Sequence, residues 1–247
     1  MTELAKIRKG LAEYQGRNAA GKKPRFLFRG QRVVYPSIKP TFARVPTDET
    51  EAGQAYTVFR HAKRICQGLR GYTIDHLDGV AILQHYGWPT PLIDLTGTVD
   101  VAVFFALLDA KAGSEAVIYV IDTQALPEQA LIVDHDFLTH TLDDGGLGCR
   151  WLRQDGFAVT TREWTAATEA RGFDLLAAPF QAALEVHGFT VAAADRAESA
   201  DVRSTAGDPV PAPLQNLLRL FCDEVFEGQL APKLARIIQK MWTTHAE

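Results

Sequence analysis

The most regular spacing of apolar side chains lies in the first third of the chain and predicts two successive helices. In residues 51–69 the apolar positions follow the i, i+3, i+4, i+7 pattern of a helix with one buried face: Ala55, Val58, Phe59, Ala62, Ile65, Cys66 and Leu69. A second helix is predicted over residues 75–86, because Gly87 provides a stop and Pro89 follows it.

Short runs of β-branched and aromatic residues predict three strands, at residues 25–30, 91–96 and 116–122. Residues 99–110, between the second and third runs, are apolar almost all round, which predicts a buried helix. Strand, buried helix and strand in close succession favour an α+β core with a mixed sheet.

Two further strands are predicted near residues 157–160 and 183–191, with a helix that starts near Arg162 between them. Their order in the sheet does not follow from the sequence.

The chain divides into four segments by composition. Residues 1–24 form a basic leader in which residues 3–15 allow a short helix, and the folded core is expected to begin at Arg25. One α/β domain is predicted over 25–194. A polar linker or surface loop over 195–213 and a C-terminal helical appendage over 214–247 are predicted to follow it.

Composition excludes several classes of protein. Of the 247 residues, 47% are hydrophobic and 23% are charged, which is globular rather than disordered composition. No run of 18 apolar residues occurs and the first residues lack a secretory core, so a soluble, cytoplasmic protein without a membrane partner is expected. Three cysteines without a CxxC spacing signal neither a disulfide framework nor a metal site.

The net charge of −4 conceals an uneven distribution. Residues 1–45 contain eleven Lys or Arg and two acidic residues, a local charge of +9, so the remaining residues sum to −13. Such a basic segment is typical of a surface that binds phosphates or nucleic acid, and equally of a solvated helix. Both interpretations remain open at this stage.

Three clusters of residues are candidates for chemistry. The first is Arg29, at the end of a predicted strand, where a guanidinium suits a phosphate or carboxylate and the adjacent Gly30 lets another backbone or a ligand approach closely. The second is the stretch 83–96, dense in polar, aromatic and breaker residues, although its His85 and Asp94 are equally suited to capping helices. The third is the polar run 150–157, which also suits a simple turn.

These clusters, in this order, resemble the FRG domain, a bacterial and phage family named after its Phe-Arg-Gly motif. The resemblance covers roughly residues 25–160. The matching motifs are Phe28-Arg29-Gly30-Gln31, the LQHYG-x-PT and IDLT elements of Leu83 to Thr96, Ala102-Val103-Phe104-Phe105-Ala106, and Gln154-Asp155-Gly156-Phe157. The chain departs from the family at Pro91, where the family has arginine, and at Leu95, where it has tryptophan.

The order of these motifs is similar to that of ADP-ribosyltransferases of the Arg-Ser-Glu type. In that comparison Arg29 matches the arginine that contacts the NAD phosphates. The segment 94–96 lies where the Ser-Thr-Ser strand would be, and 102–105 and 117–121 match the next helix and strand. Gln154 stands where the catalytic glutamate is expected. The resemblance implies an ADP-ribosyltransferase-like fold with N-terminal and C-terminal helices.

The resemblance also implies an activity and a site. NAD would be the co-substrate, its nicotinamide bond would be cleaved, and ADP-ribose would pass to an unknown protein or nucleic-acid acceptor without a metal. The family's distribution suits a toxin or an anti-phage effector. The implied catalytic residues are His85, Asp94 and Gln154. The implied cofactor-binding residues are Arg29, Gly30, Gln31, Arg32, Tyr86, Trp88 and Thr96.

Within this set, Arg29 and Arg32 would take the diphosphate, Tyr86 or Trp88 would stack on nicotinamide, and Asp94 would supply the charge that Gln154 lacks.

The competing hypothesis is a binding module without catalysis. In that case the basic N-terminal segment contacts nucleic acid or an acidic protein, and His85, Asp94 and Gln154 form a polar network that holds the core. A hydrolase is disfavoured because neither Ser37 nor Ser114 has the context of a nucleophile elbow.

Overall fold

The structure, a computed structural model, describes residues 2–18, 23–44, 90–134, 155–164 and 167–195, together with Leu77, Val80, Ala81 and Gln84. Within these residues the chain forms a six-stranded sheet with helices packed against it. The strands are β1 (Phe26–Gln31), β2 (Ile93–Thr96), β3 (Glu115–Asp122), β4 (Ala130–Asp134), β5 (Gly156–Thr161) and β6 (Leu184–Thr190). The helices are α1 (Glu3–Gly16), α2 (Val99–Leu107) and α3 (Ala167–Gly172), with 3₁₀ segments at Thr41–Arg44 and Ala178–Ala183.

The α+β class predicted from the sequence is confirmed, and so are most of its elements. Strands β1, β2, β3, β5 and β6 and the buried helix α2 lie where the hydrophobic pattern predicts them. For the helix predicted to start near Arg162, the described residues are helical over Ala167–Gly172. Strand β4 was missed because it lies at the sheet edge and is mostly half-buried, so it lacks both a strict alternation and a continuous apolar run.

The sheet is antiparallel in every strand pair among the described residues, in the order β4-β5-β2-β1-β3-β6. The expectation of a mixed sheet was therefore wrong. That expectation came from the succession of strand, helix and strand. In the structure α2 does connect β2 to β3, and these two strands run in the same direction. Strand β1 is inserted between these two strands and pairs antiparallel with both, so no parallel neighbours result.

The two halves of the sheet meet at a narrow seam between β1 and β2. Strand β2 is in register with β5 over four residue pairs and β1 with β3 over six. Between β1 and β2 the register contains one pair, Phe28 opposite Thr96. We call this junction the central seam. Backbone hydrogen bonding holds each half together, whereas side chains carry more of the connection at the seam.

Apolar side chains pack on both faces of the sheet. Helices α1 and α2 cover the first face, where Leu4 and Leu11 join Phe26 and Phe28. The second face contains Leu27 and the buried residues that follow α3. Because α1 contributes buried side chains, the core includes residues before Arg25, where the sequence analysis placed its start.

The remaining expectations fall wholly or partly on residues outside the described ranges. The helix predicted over 51–69 and everything predicted over 196–247 lie outside them. In the helix predicted over 75–86, the described positions Leu77, Val80, Ala81 and Gln84 are helical. No helix among the described residues is long and apolar enough to span a membrane.

Candidate functional site

Arg29 lies at the central seam and binds across it. In β1 it follows Leu27 by two residues, so strand alternation places both side chains on the second face of the sheet. Its Nη1 donates a hydrogen bond of 2.6 Å to the backbone carbonyl of Asp94 in β2. The side chain thus connects β1 to β2 one residue beyond Phe28, the β1 residue that pairs with Thr96 of β2.

Tyr119 lies directly opposite Arg29 in β3 and is almost completely buried. Burial raises the pKa of the Tyr119 phenol, and the positive charge of Arg29 offsets part of that increase. The arginine therefore places a positive charge at a partly desolvated position of the sheet, where its attraction for an anion is stronger than in water.

The Asp94 carboxylate is exposed and is held by a chain of polar side chains. Gln84 donates from Nε2 to Asp94 Oδ1, and Thr90 donates from its hydroxyl to Gln84 Oε1. The backbone N–H of Thr90 donates in turn to the Thr41 hydroxyl at 3.1 Å. This network fixes the start of β2 against the preceding helix. Gln84 received no role in the sequence analysis, although it belongs to the same fourteen-residue motif.

Strand alternation separates the side chains of Arg29 and Asp94. Ile93 and Leu95 lie on the second face, so Asp94 and Thr96 point to the first. The Thr96 hydroxyl accepts a hydrogen bond of 3.2 Å from the backbone N–H of Thr98, in the turn that leads into α2. The two charged groups nevertheless flank one residue of β2, because Arg29 binds the carbonyl of Asp94 itself.

Gly30 is required by the packing of α2 on β1. A Cβ atom at this position would lie 1.7 Å from the carbonyl oxygen of Ala102 and 2.7 Å from the backbone nitrogen of Ala106. Of the two alternatives that the sequence left open, a backbone or a ligand in close approach, the described contact is with the helix backbone.

Gln31 and Arg32 end β1 in different environments. Gln31 is 7% exposed, and its Oε1 has no hydrogen-bond partner among the described residues. Arg32 is exposed, and its Nη1 lies 4.0 Å from Asp109 Oδ2. An exposed guanidinium in such a loose pair is free to reorient toward a phosphate.

Asp155 is a second carboxylate near β2 that the sequence analysis treated as part of a turn. It precedes β5, and its backbone carbonyl accepts a hydrogen bond of 3.0 Å from the N–H of Gly97. Its Oδ2 lies 2.1 Å from where a Cβ of Gly97 would be, so the carboxylate packs directly on that glycine. The φ of 43° at Asp155 is a left-handed conformation uncommon outside glycine. Aspartate adopts this conformation more readily than most residues, in agreement with the turn suggested by the sequence.

Four of the expected site residues, His85, Tyr86, Trp88 and Gln154, lie outside the described ranges, and their roles stay predictions. No group of three or more His, Cys, Asp or Glu side chains able to hold a metal occurs in the described part of the chain.

A separate surface cleft of about 380 Å³ lies between α1 and α2. Arg8 and Asp100 line it and form an ion pair with a 2.7 Å contact. Gln15 also lines it and accepts a hydrogen bond from the first N–H of α2, at Val99. These contacts use polar groups of the cleft to join the two helices, and none of the expected site residues lines it.

The fold and the seam define an α+β protein with an antiparallel sheet and an arginine at its centre. A family model for the FRG domain matches residues 24–115, a range that contains β1, the central seam and α2. This match supports the FRG family. No curated protein and no solved structure matches the chain. The similarity to ADP-ribosyltransferases therefore stays a prediction from the order of motifs.

Proposed function

We propose that this chain is an NAD-binding, ADP-ribosyltransferase-like protein that cleaves the nicotinamide bond and transfers ADP-ribose to an acceptor. The observation that carries the proposal is the contact across the central seam. Arg29 and Asp94 come from two of the motifs that resemble the FRG domain and lie within the range that the family model matches, and the guanidinium of the first binds the backbone of the second. A cation on the second face of the sheet and an exposed carboxylate on the first are thereby fixed at the same residue of β2.

The cation suits the diphosphate of NAD. Arg29 is half-buried, so its charge is less screened than on the open surface, and a guanidinium binds phosphate oxygens with two parallel hydrogen bonds. Arg32 lies three residues further along and is exposed. We infer that Arg29 sets the position of the diphosphate and that Arg32 adds charge at its outer side.

The carboxylates suit the reaction itself. When the bond between C1′ of the ribose and the nicotinamide nitrogen breaks, its electron pair leaves with nicotinamide and positive charge develops on the ribose. A carboxylate close to that charge stabilises the transition state. Among the described residues, Asp94 in β2 and Asp155 beside Gly97 are acidic side chains in this region, and either would supply the charge that Gln154 lacks. The acceptor then forms a bond to C1′ and loses a proton, for which His85 is the candidate base.

The contacts of the N-terminal arginines favour this proposal over a module that binds nucleic acid through the basic segment. Arg8 pairs with Asp100 at 2.7 Å and Arg25 with Asp122 at 2.8 Å. The guanidinium of Arg17 lies 5.3 Å from the centre of the Tyr14 ring. These arginines hold parts of the fold together, which accounts for a share of the local charge without a nucleic-acid partner.

The experiment is isothermal titration of the full chain with NAD, for the wild type, Arg29→Ala and the control Arg25→Ala. Hydrogen bonds to charged groups are worth about 1.5–3 kcal/mol, so Arg29→Ala is expected to weaken binding by roughly ten- to one-hundred-fold. Arg25→Ala removes a charge from the same strand region but is expected to leave NAD affinity unchanged. Thermal unfolding checks that each variant is folded. Failure of the wild type to bind millimolar NAD, or equal affinities for wild type and Arg29→Ala, contradicts the proposal.

A further inference from the structure

Gln31 contains a buried acceptor that the described structure leaves without a donor. The side chain is 7% exposed, and its amide oxygen makes no hydrogen bond among the described residues. Buried polar atoms are rarely left in this state, because they lose their bonds to water and gain none in return. Such an atom in an otherwise well-packed sheet is typical of a place where a ligand or a water completes the bonding.

The location of Gln31 links it to the candidate site. It follows Arg29 by two residues in β1, so both side chains project from the second face of the sheet, about 7 Å apart along the strand. Its partner in register on β3 is Val117, an apolar residue that offers no side-chain donor. On its other side, β1 pairs with β2 at Phe28, three residues before Gln31.

We propose, on the basis of the function proposed above, that Gln31 recognises the carboxamide of nicotinamide and selects it over a carboxylate. A carboxamide presents an N–H to the buried oxygen of Gln31, and its own carbonyl accepts from Gln31 Nε2. A carboxylate at the same place accepts a hydrogen bond from Gln31 Nε2 but has no N–H to donate, so the buried oxygen stays without a donor. The spacing of about 7 Å between Arg29 and Gln31 is of the order of one ribose, the group that separates the diphosphate from nicotinamide in NAD.

The test compares three ligands that share the ADP-ribose part: NAD, nicotinic acid adenine dinucleotide and ADP-ribose. The wild type is expected to bind NAD at least tenfold more tightly than the nicotinic acid analogue. Gln31→Met keeps the length of the side chain and removes its hydrogen bonding. It is expected to reduce the ratio of these two affinities by about fivefold or more, the value of one hydrogen bond, while the affinity for ADP-ribose stays the same.

Two further variants sharpen the test. Gln181→Met makes the same replacement at an exposed position and is expected to change none of the three affinities. Gln31→Glu keeps an acceptor at the site, so its preference for NAD is expected to be at least that of the wild type. If Gln31→Met does not fold, Gln31→Glu is used in its place. In that case the inference is overturned if Gln31→Glu no longer prefers NAD over nicotinic acid adenine dinucleotide.

The outcomes separate this inference from the function on which it rests. If ADP-ribose and NAD bind but Gln31→Met keeps the wild-type preference, the role of Gln31 is refuted and the NAD site stands. A wild type that binds NAD and the nicotinic acid analogue equally also refutes it. If neither ADP-ribose nor NAD binds to the wild type, the proposed function fails and the inference fails with it.

Discussion

Replacing Gly30 with alanine provides a direct test of the way β1 and α2 pack. The added methyl group would lie 1.7 Å from the Ala102 carbonyl oxygen, whereas real contacts of this kind are essentially never shorter than 3.0 Å. The two backbones must therefore separate by about 1.3 Å at this point. The carbonyl carbon of Ala102 and the backbone nitrogen of Ala106, each 2.7 Å away, belong to the same helix, so a side-chain rotation cannot relieve the overlap.

The cost of this separation is set by the rigidity of the neighbours. Overfilling a packed core typically costs about 1–3 kcal/mol when side chains can adjust. Here both partners are backbone, and α2 has six of its nine residues buried. We expect Gly30→Ala to lower the free energy of unfolding by at least about 3 kcal/mol, a large share of the roughly 5–15 kcal/mol typical of a domain.

The assay is urea unfolding followed by far-ultraviolet circular dichroism, with Gly188→Ala as the matched control. Gly188 lies in β6 of the same sheet, and a Cβ there would meet nothing within 4 Å. That variant is expected to be neutral or more stable by up to about 1 kcal/mol, because alanine reduces the freedom of the unfolded chain. Stability of Gly30→Ala within about 0.5 kcal/mol of the wild type would refute the packing described here.

Two other predictions address the contacts of the N-terminal segment. Leu11 is fully buried in the core that α1 shares with α2, so Leu11→Ala is expected to lower the free energy of unfolding by about 2–5 kcal/mol in the same urea assay. A change near zero would mean that α1 is not part of the folded core. The hydrogen bond from Arg25 holds the pKa of Asp122 below its usual 3.8, so the pair stabilises the fold above that pH and stops doing so as the pH falls through the lowered pKa. Thermal unfolding is therefore expected to show Asp122→Asn less stable than the wild type at neutral pH and equal to it in strong acid; a gap that persists in acid contradicts the assignment.

The hydrophobic pattern predicts most of the described helices and strands, because the burial of side chains determines both the pattern and the elements. Strand β3 is a continuous apolar run of six buried residues, most of them β-branched, and α2 is apolar on nearly all sides. Each therefore has a strong local signal in the sequence. The core position of α1 was missed although Leu4 and Leu11 lie seven residues apart on one helical face. The many basic residues of the segment obscured that pattern.

The details of the site depend on contacts between distant parts of the chain. The sequence predicts that Arg29, Asp94 and Thr96 matter together, but it does not reveal that Arg29 binds the carbonyl of Asp94 or that the Thr96 hydroxyl serves the turn before α2. Those outcomes follow from the register at the central seam, which is set by the packing of the whole sheet. The same reason explains why the position of Asp155 against Gly97 was not predicted.

The most direct test of the central claim is the release of free nicotinamide from NAD by the full chain, measured for the wild type and Asp94→Asn. We expect the wild type to release nicotinamide slowly, and to release it faster when an acceptor is present. Asp94→Asn keeps the shape of the side chain and removes its charge, so it is expected to reduce release by at least tenfold while NAD still binds. A wild type that binds NAD and releases no nicotinamide, with or without cell extract as a source of acceptor, would contradict the claim of catalysis.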